Sequence, residues 1–120
     1  AIILPGGLKG TENLSNDSRI KVMLDRTKQN GKLLGAICAA PTILAKHELI
    51  EENSSITSHP GMKNQLSRYR YSEEKVVLQD NIITSRGVGT VIDFALALIE
   101  YLIDRETADR VSKEIVYHNY

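Results

Sequence analysis

The stretch from residue 32 to residue 44, KLLGAICAAPTIL, constrains the fold of this chain more than any other. After the turn signal Asn30-Gly31 it begins with an apolar run at residues 33–37. Such a run is typical of a short buried strand, although it is also compatible with part of a helix. Pro41 follows soon after Cys38, and proline is tolerated in the first turn of a helix. The sequence therefore predicts a change from strand to helix within about two residues of Cys38.

Small residues around Cys38 allow the backbone to turn sharply, as an exposed nucleophile on a strand-to-helix elbow requires. These neighbours are Gly35, Ala36, Ala39 and Ala40. A thiol at the N-terminus of a helix faces unpaired backbone N–H groups, which favour its ionised, reactive form. In the alternative interpretation, Cys38 is a small buried hydrophobic residue, the commonest role of a single cysteine. The local spacing favours the reactive cysteine, and the choice depends on the rest of the chain.

The composition predicts one ordinary globular domain and excludes several kinds of partner. The chain has 120 residues, of which 42% are hydrophobic and 25% charged. Its 15 basic and 15 acidic residues balance, which argues against nucleic acid because a phosphate-binding face needs a basic excess. A single cysteine cannot form an internal disulfide, so we expect a reducing, cytoplasmic environment. No stretch has the length and purity of a membrane span, so we expect no membrane partner.

Two short strands are predicted to end in turns that carry polar groups. Residues 1–4 are apolar and lead into Gly6-Gly7, a turn whose N–H groups either hold an anion or oxyanion or simply reverse the chain. Residues 55–58 favour a strand that ends at His59-Pro60. Because proline restricts the residue before it to extended geometry, His59 should be held rigidly at the end of that strand.

The other predicted elements are four helices, one hairpin and one loop. Helices are predicted at residues 19–29 (capped by Asp17 or Ser18), from 41 to 46 or 47, at 91–103 and at about 105–117, a hairpin at 76–79 and 82–85, and a polar loop at 11–16. Because residues 91–103 are apolar nearly all round, we expect that helix to be central. The last helix should direct Ala108, Val111 and Ile115 inward.

Alternating strands and helices predict an α/β layer with a mainly parallel sheet. In such sheets ligands bind beyond the carboxyl ends of the strands. Gly6-Gly7, Cys38 and His59 each follow a predicted strand, and Arg86 follows the hairpin in a second glycine-rich turn. The sequence therefore predicts that these groups share one site at the same edge of the sheet.

Four motifs together resemble the ThiJ/PfpI family, and in particular its branch that contains the parkinsonism-associated DJ-one protein and its bacterial relatives. The motifs are residues 4–7 (LPGG), 36–41 (AICAAP), His59-Pro60 and 84–90 (TSRGVGT). Their order and spacing match the family. The resemblance implies a flavodoxin-like three-layer α/β sandwich with a mainly parallel sheet, usually assembled as a homodimer. It makes residues 1–120 a single ThiJ/PfpI-like domain that is incomplete at its N-terminus.

The resemblance also implies roles for particular residues of this chain: Cys38 and His59 in catalysis, Gly7 and Ala39 in an oxyanion pocket, and Gly6 and Arg86 in binding the substrate or an anion. No cofactor is expected. No metal site is expected either, because the single cysteine and His47, His59 and His118 show no ligand spacing.

The similarity covers the whole chain but roughly the C-terminal two-thirds of a family domain. The family's first strands carry a glutamate that hydrogen-bonds the cysteine and carries protons, and these strands have no counterpart here. Glu12 is not an evident replacement. A parallel sheet without those strands exposes an edge. We therefore expect the chain to associate with a complementary N-terminal segment or with a second copy.

Two functions follow from the resemblance. The first is cofactor-independent, cysteine-dependent chemistry on small reactive carbonyls, either conversion of methylglyoxal to lactate or deglycation of a glycated substrate. The alternative is a redox sensor or redox-regulated chaperone that acts through oxidation of Cys38. A PfpI-type peptidase depends on a different oligomer, and a thiamine-pathway role lacks a basic phosphate-binding cluster, so both have weaker support.

Overall fold

The computed structural model describes residues 1–117, and a four-stranded sheet runs through its centre. The strands of this chain are β1 (Ile2–Leu4), β2 (Leu34–Ile37), β3 (Ser55–Ile56), β4 (Arg70–Tyr71), β5 (Val76–Gln79) and β6 (Ile82–Ser85). The main sheet has the order β1-β2-β6-β5. Strands β1, β2 and β6 are parallel, and β5 is antiparallel to β6. β3 and β4 form a separate parallel pair.

Helices cover both faces of the main sheet. They are α1 (Leu8–Ser15), α2 (Ser18–Gln29), α3 (Pro41–Lys46), α4 (Val91–Leu102) and α5 (Arg105–Glu114), with 3-10 turns at Pro60–Leu66 and Val88–Thr90. One core cluster joins the sheet to α2 and α3 through Leu24, Leu34 and Ile43. A second joins it to α4 through Ile83 and Phe94. The predicted mainly parallel α/β sandwich is therefore confirmed.

Local signals in the sequence account for several element boundaries. The Asp17 carboxylate caps α2 by accepting a hydrogen bond of 2.9 Å from the amide of Arg19. Pro41 stands in the first turn of α3, where its missing N–H costs nothing. The β5–β6 hairpin forms as predicted, and Asp80 in its turn has φ 55°. These boundaries follow from capping and turn chemistry. Within residues 1–117, no helix has the length and apolar character needed to cross a bilayer.

The prediction of a polar loop at residues 11–16 is wrong, because this segment forms most of helix α1. The helix packs against α2 and α3, and Thr11 is buried in that contact. Half of its residues are weak helix formers: Gly10, Thr11, Asn13 and Ser15. Packing against the two neighbouring helices adds to the local propensity. The consequence for the site is that the N-terminus of α1 follows Gly7 directly.

The prediction that helix α4 is central is also wrong. Of its residues only Phe94 is buried, whereas Val91, Ile92 and Leu102 are exposed. One side of the helix packs against one face of the sheet, and another side of the helix packs against α5. In the last helix Ala108 is buried as predicted, but Ile115 lies beyond the end of α5 and is 50% exposed.

The pKa of His47, at the end of α3, should make the stability of the fold depend on pH. Burial, with the positive charges on Lys21 and Lys46, lowers the pKa of His47 below its usual value of 6.5, although Asp25 opposes the shift. The folded protein therefore binds this proton less readily than the unfolded chain does. We expect the contribution of neutral His47 to the free energy of unfolding to be fully present above about pH 6.5. This contribution is lost as the pH falls through the lowered pKa.

Melting temperatures measured from about pH 7.5 down to about pH 5 test this expectation. The full-length protein and the His47→Gln variant are compared at each pH. On acidification, the melting temperature of the variant should fall less than that of the parent. Identical pH profiles for the two proteins would show that His47 does not contribute.

Candidate active site

Cys38 lies on a sharp bend between β2 and α3. Its φ is 66°, in the left-handed region that residues other than glycine rarely adopt. Two backbone hydrogen bonds hold it there. The amide of Cys38 donates to the carbonyl of Ser85 over 3.2 Å, and the carbonyl of Cys38 accepts from the amide of His59 over 2.8 Å. A strained residue persists only where the surrounding structure enforces it, as strands β2 and β6 do here.

Gly6 provides the space that the bend of Cys38 occupies. A Cβ atom added to Gly6 would lie 2.5 Å from Cβ of Cys38, 3.0 Å from the carbonyl oxygen of Ile37 and 3.3 Å from Sγ of Cys38. Real side chains do not approach this closely, so only glycine fits at this position. The resemblance implied a binding role for Gly6; the structure places its backbone directly against the cysteine, and the binding role stays a prediction.

A cleft of about 340 Å³ opens beside the sulfur. Its lining residues are Gly7, Leu8, Cys38, Ala39, His59, Gly61 and Met62. Cys38 is half-buried, so the thiol is accessible from the cleft. Among residues 1–117, no protein hydrogen bond occupies the amide of Gly7 or that of Ala39. Unpaired amides at the edge of such a cleft can stabilise negative charge that develops on a bound oxygen.

His59 lines the same cleft and has a defined tautomer when it is neutral. Its Nδ1 accepts a hydrogen bond of 3.0 Å from the amide of Gly61. In a neutral imidazole one nitrogen accepts and the other carries the proton, so Nε2 is the donor. His59 can therefore donate a proton or a hydrogen bond from Nε2. The 3-10 turn that begins at Pro60 fixes this arrangement.

Arg86 is not among the residues that line the cleft. Its Nε donates to the carbonyl of Ser58 over 3.1 Å, and its Nη2 donates to the hydroxyl of Tyr71 over 3.3 Å. A longer contact of 3.4 Å joins Nη1 to the carbonyl of Glu73. The guanidinium thus contacts oxygens of the chain itself. Its predicted role in binding an anion stays a prediction that these contacts do not favour.

Within residues 1–117, no aspartate or glutamate lines the cleft of Cys38. Glu12 lines an adjoining groove of about 230 Å³, together with Thr11 and Thr42. This groove shares Leu8, Ala39 and Met62 with the cleft. Apart from Cys38, His59 is the one titratable side chain among the described residues that line the cleft.

Sequence reasoning missed three of the lining residues, Leu8, Gly61 and Met62. Leu8 was missed because α1 was read as a loop. A signal for the other two was present, since Pro60 predicts a turn and a histidine before it can accept from a nearby amide. Among residues 1–117, no group of three or more histidine, cysteine, aspartate or glutamate side chains is close enough to hold a metal ion. His118 lies outside the described residues.

Comparisons with known proteins match most of this chain. The model of the DJ-1/PfpI family matches residues 1–101. The chain is 50% identical over 118 residues to protein DJ-1alpha of Drosophila melanogaster, covering 97% of this chain and 54% of that protein. It is 36% identical over 116 residues to glutathione-independent glyoxalase DJR-1.2 of Caenorhabditis elegans, covering 95% of this chain and 61% of that protein. The crystal structure of Drosophila melanogaster DJ-1beta superposes with a TM-score of 0.92 at 40% identity, covering 98% of this chain and 64% of that one.

The chain thus spans less than two thirds of the length of each of these relatives. The match nevertheless extends over most of the chain, in sequence and in structure alike. It confirms the resemblance noted in the four motifs and the flavodoxin-like arrangement of sheet and helices. The chain belongs to the DJ-1/PfpI family.

Proposed function

We propose that the protein uses Cys38 as the nucleophile in cofactor-independent chemistry on small reactive carbonyls. The observation that carries this proposal is the position of Cys38, on a strained bend at the edge of a cleft where two amides have no partner among residues 1–117. An inert core cysteine needs neither the strained backbone nor the accessible cleft. The relative from Caenorhabditis elegans that bears the name of a glyoxalase supports the same reaction class.

The proposed first step is addition of the Cys38 thiolate to the aldehyde carbon of methylglyoxal. A carbon–sulfur bond forms, and the π electrons of the carbonyl move to its oxygen. The amides of Gly7 and Ala39 stabilise this oxyanion until it takes up a proton and becomes a hemithioacetal. The cleft of about 340 Å³ has room for so small a substrate.

The proposed second step moves hydrogen within the substrate. A base removes the proton from the former aldehyde carbon, which gives an enediolate, and a proton is returned to the neighbouring carbon. The hydroxyl proton on the first carbon is lost and the oxygen on the second carbon gains one, so the first carbon is oxidised to the thioester carbonyl and the second is reduced to an alcohol. The product is a thioester of lactate, which water hydrolyses to lactate and free Cys38. His59 supports these transfers through Nε2. The family resemblance implies that a glutamate from the first strands of a complete domain is the main base.

The experiment that tests this function is an assay of lactate formation from methylglyoxal by the full-length protein, without glutathione or metal. We expect many molecules of lactate per molecule of protein. Less than one equivalent would contradict the proposal, because a stoichiometric adduct on Cys38 is not turnover. Repeating the assay with a glycated amino acid separates deglycation from direct action on the free aldehyde.

A redox sensor is the second candidate, and the half-exposed sulfur of Cys38 favours it. Unpaired amides that hold an oxyanion can equally hold the oxygens of a sulfinate. After mild treatment with peroxide, mass spectrometry should show two added oxygens on Cys38 before oxidation of Met23 and Met62. Met23 is 51% exposed and serves as an internal control for general oxidation. Oxidation of the methionines first would exclude the sensor.

The homodimer, the complementary N-terminal segment and the cytoplasmic location remain predictions from the sequence. Light scattering of the full-length protein measures its mass in solution and tests the first of them. A monomeric mass would contradict the predicted homodimer.

A further inference from the structure

A group of hydrogen bonds behind the cleft joins Tyr71 and Arg86 to the segment that carries His59. The Tyr71 hydroxyl lies 3.0 Å from the carbonyl oxygen of Ser58 and 3.0 Å from the Ser58 hydroxyl. Nε of Arg86 lies 3.1 Å from the same Ser58 carbonyl, and its Nη2 lies 3.3 Å from the Tyr71 hydroxyl. Ser58 is completely buried, so water does not replace these partners.

Charge and valence constrain the protons of this group. A guanidinium only donates, so Tyr71 accepts from Arg86. Tyr71 then donates its own proton to the carbonyl of Ser58, which also accepts from Nε of Arg86 and thereby uses both of its lone pairs. The one proton of the Ser58 hydroxyl has two acceptors, the carbonyl oxygen of His59 at 2.9 Å and the Tyr71 hydroxyl at 3.0 Å. Every polar atom in the group has a partner.

These bonds fix the peptide unit between Ser58 and His59. On its far side, the amide of His59 donates to the carbonyl of Cys38 over 2.8 Å. A continuous chain of contacts therefore runs from Tyr71 and Arg86 through Ser58 to both residues of the reactive cleft. It ties the backbone of His59 to the backbone of Cys38.

We propose that Tyr71 and Arg86 are positioning residues that hold His59 against the Cys38 elbow, and that Arg86 does not bind the substrate. The proposal rests on the proposed function for its kinetic tests. It assigns a role to Tyr71, which the sequence motifs did not single out for the site. It also replaces the anion-binding role predicted for Arg86, because three of the N–H groups of that guanidinium face oxygens of the chain.

The first test replaces Tyr71 by phenylalanine in the full-length protein. This variant keeps the ring beside the Arg86 guanidinium, 5.8 Å from its centroid, and removes only the hydroxyl. We expect kcat for methylglyoxal to fall about tenfold to a hundredfold and KM to change less than about twofold, because orientation is lost and binding is not. An unchanged kcat, or a loss confined to KM, would overturn the proposal.

Tyr69 offers a matched control two positions earlier. Its hydroxyl accepts from Arg68 over 3.3 Å, and the Arg68 guanidinium lies 5.5 Å from its ring centroid. It does not line the cleft of Cys38. Tyr69→Phe therefore removes the same kind of hydroxyl at a site remote from the chemistry. We expect its kcat to stay within about twofold of the parent; an equal loss in both variants would indicate a general effect on the fold.

The second test compares Arg86→Lys with Arg86→Ala. A lysine keeps the positive charge but lacks the planar fork that reaches two oxygens at once. If Arg86 positions the segment, both variants should lose kcat to a similar extent. If Arg86 binds an anion, lysine should rescue most of the activity. Rescue by lysine would contradict the proposal, and Tyr71→Phe decides alone if neither arginine variant folds.

A readout independent of turnover separates this proposal from the proposed function. Cys38 is alkylated with neutral iodoacetamide and with anionic iodoacetate. The rate with iodoacetate divided by the rate with iodoacetamide is then compared between the parent and Arg86→Ala. A guanidinium that binds anions in the cleft accelerates iodoacetate selectively. We expect the ratio to change less than about twofold. A large fall in the ratio would overturn the positioning role even if the protein has no glyoxalase activity.

Discussion

Replacing Cys38 by serine is expected to lower methylglyoxal turnover by roughly 10³-fold or more. Serine has nearly the same shape and tolerates the left-handed backbone no worse than cysteine does. A hydroxyl is a much weaker nucleophile at neutral pH, however, because little of it is ionised without a strong base. The rate of lactate formation by parent and variant, at equal protein concentration, measures the effect.

Melting curves are the control for this substitution. Cys38 is half-buried and packs at the edge of a core cluster, so its replacement by the similarly shaped serine removes little buried apolar surface. We therefore expect the Cys38→Ser variant to melt within a few degrees of the parent. Equal turnover by the two folded proteins would exclude every mechanism in which Cys38 is the nucleophile. It would leave the cleft as a binding site only.

The substitution Gly6→Ala is expected to abolish most activity without removing a polar group. Its methyl group would lie 2.5 Å from Cβ of Cys38, so either β1 or the elbow has to move. Overpacking of this kind costs about 1–3 kcal/mol of stability. A shift of the sulfur by about 1 Å relative to the amide of Gly7 can by itself lower the rate by about 10²-fold. Turnover and a melting curve, measured on the same preparation, report the two effects separately.

Gly10 provides the matched control for this substitution. It lies inside α1, and a Cβ atom at this position meets nothing within 4 Å. Alanine should therefore stabilise the helix there, by about 0.5–1 kcal/mol, and leave turnover unchanged. If Gly6→Ala behaves like Gly10→Ala, the close packing between Gly6 and Cys38 is not important for the reaction.

The parts of the fold that could be predicted are those with local signals. The β5–β6 hairpin, the proline at the start of α3 and the acidic cap of α2 each depend on residues adjacent in sequence. The parallel sheet followed from the alternation of strands and helices. Helix α1 could not be predicted in the same way, because its stability comes from neighbours that pack on it and not from its own residues.

Helix α4 shows the opposite failure. Its composition is apolar nearly all round, which predicts burial, but what packs on each side of a helix is a property of the whole assembly. Val91 and Ile92 are 45% and 42% exposed in the chain described here. A single sequence specifies that a helix forms more reliably than it specifies which of its faces are covered.

For the site, the topology of the main sheet was sufficient to bring Gly7 and Cys38 together, because each follows a strand, β1 or β2, that ends at the same edge. The prediction that His59 follows a strand of the same sheet is wrong, because β3 belongs to the separate β3–β4 pair, and His59 is joined to the site through the hydrogen bond from its amide to the carbonyl of Cys38. Their chemical roles stay predictions. The sequence could not show that Arg86 faces the chain's own oxygens, nor that Nδ1 of His59 accepts from the amide of Gly61. Both depend on side-chain orientations that follow from contacts distant in sequence.

The most direct test of the central claim is the rate at which iodoacetamide alkylates Cys38 at pH 7 in the folded full-length protein, compared with the same protein unfolded in urea. A nucleophilic Cys38 has to react faster than an unstructured thiol, and the cleft beside its sulfur leaves it accessible to the reagent. The account predicts alkylation at least about tenfold faster in the folded protein, after correction for the effect of urea on a free thiol. Equal or slower alkylation of the folded protein would contradict it, because Cys38 would then behave as an ordinary or a protected thiol.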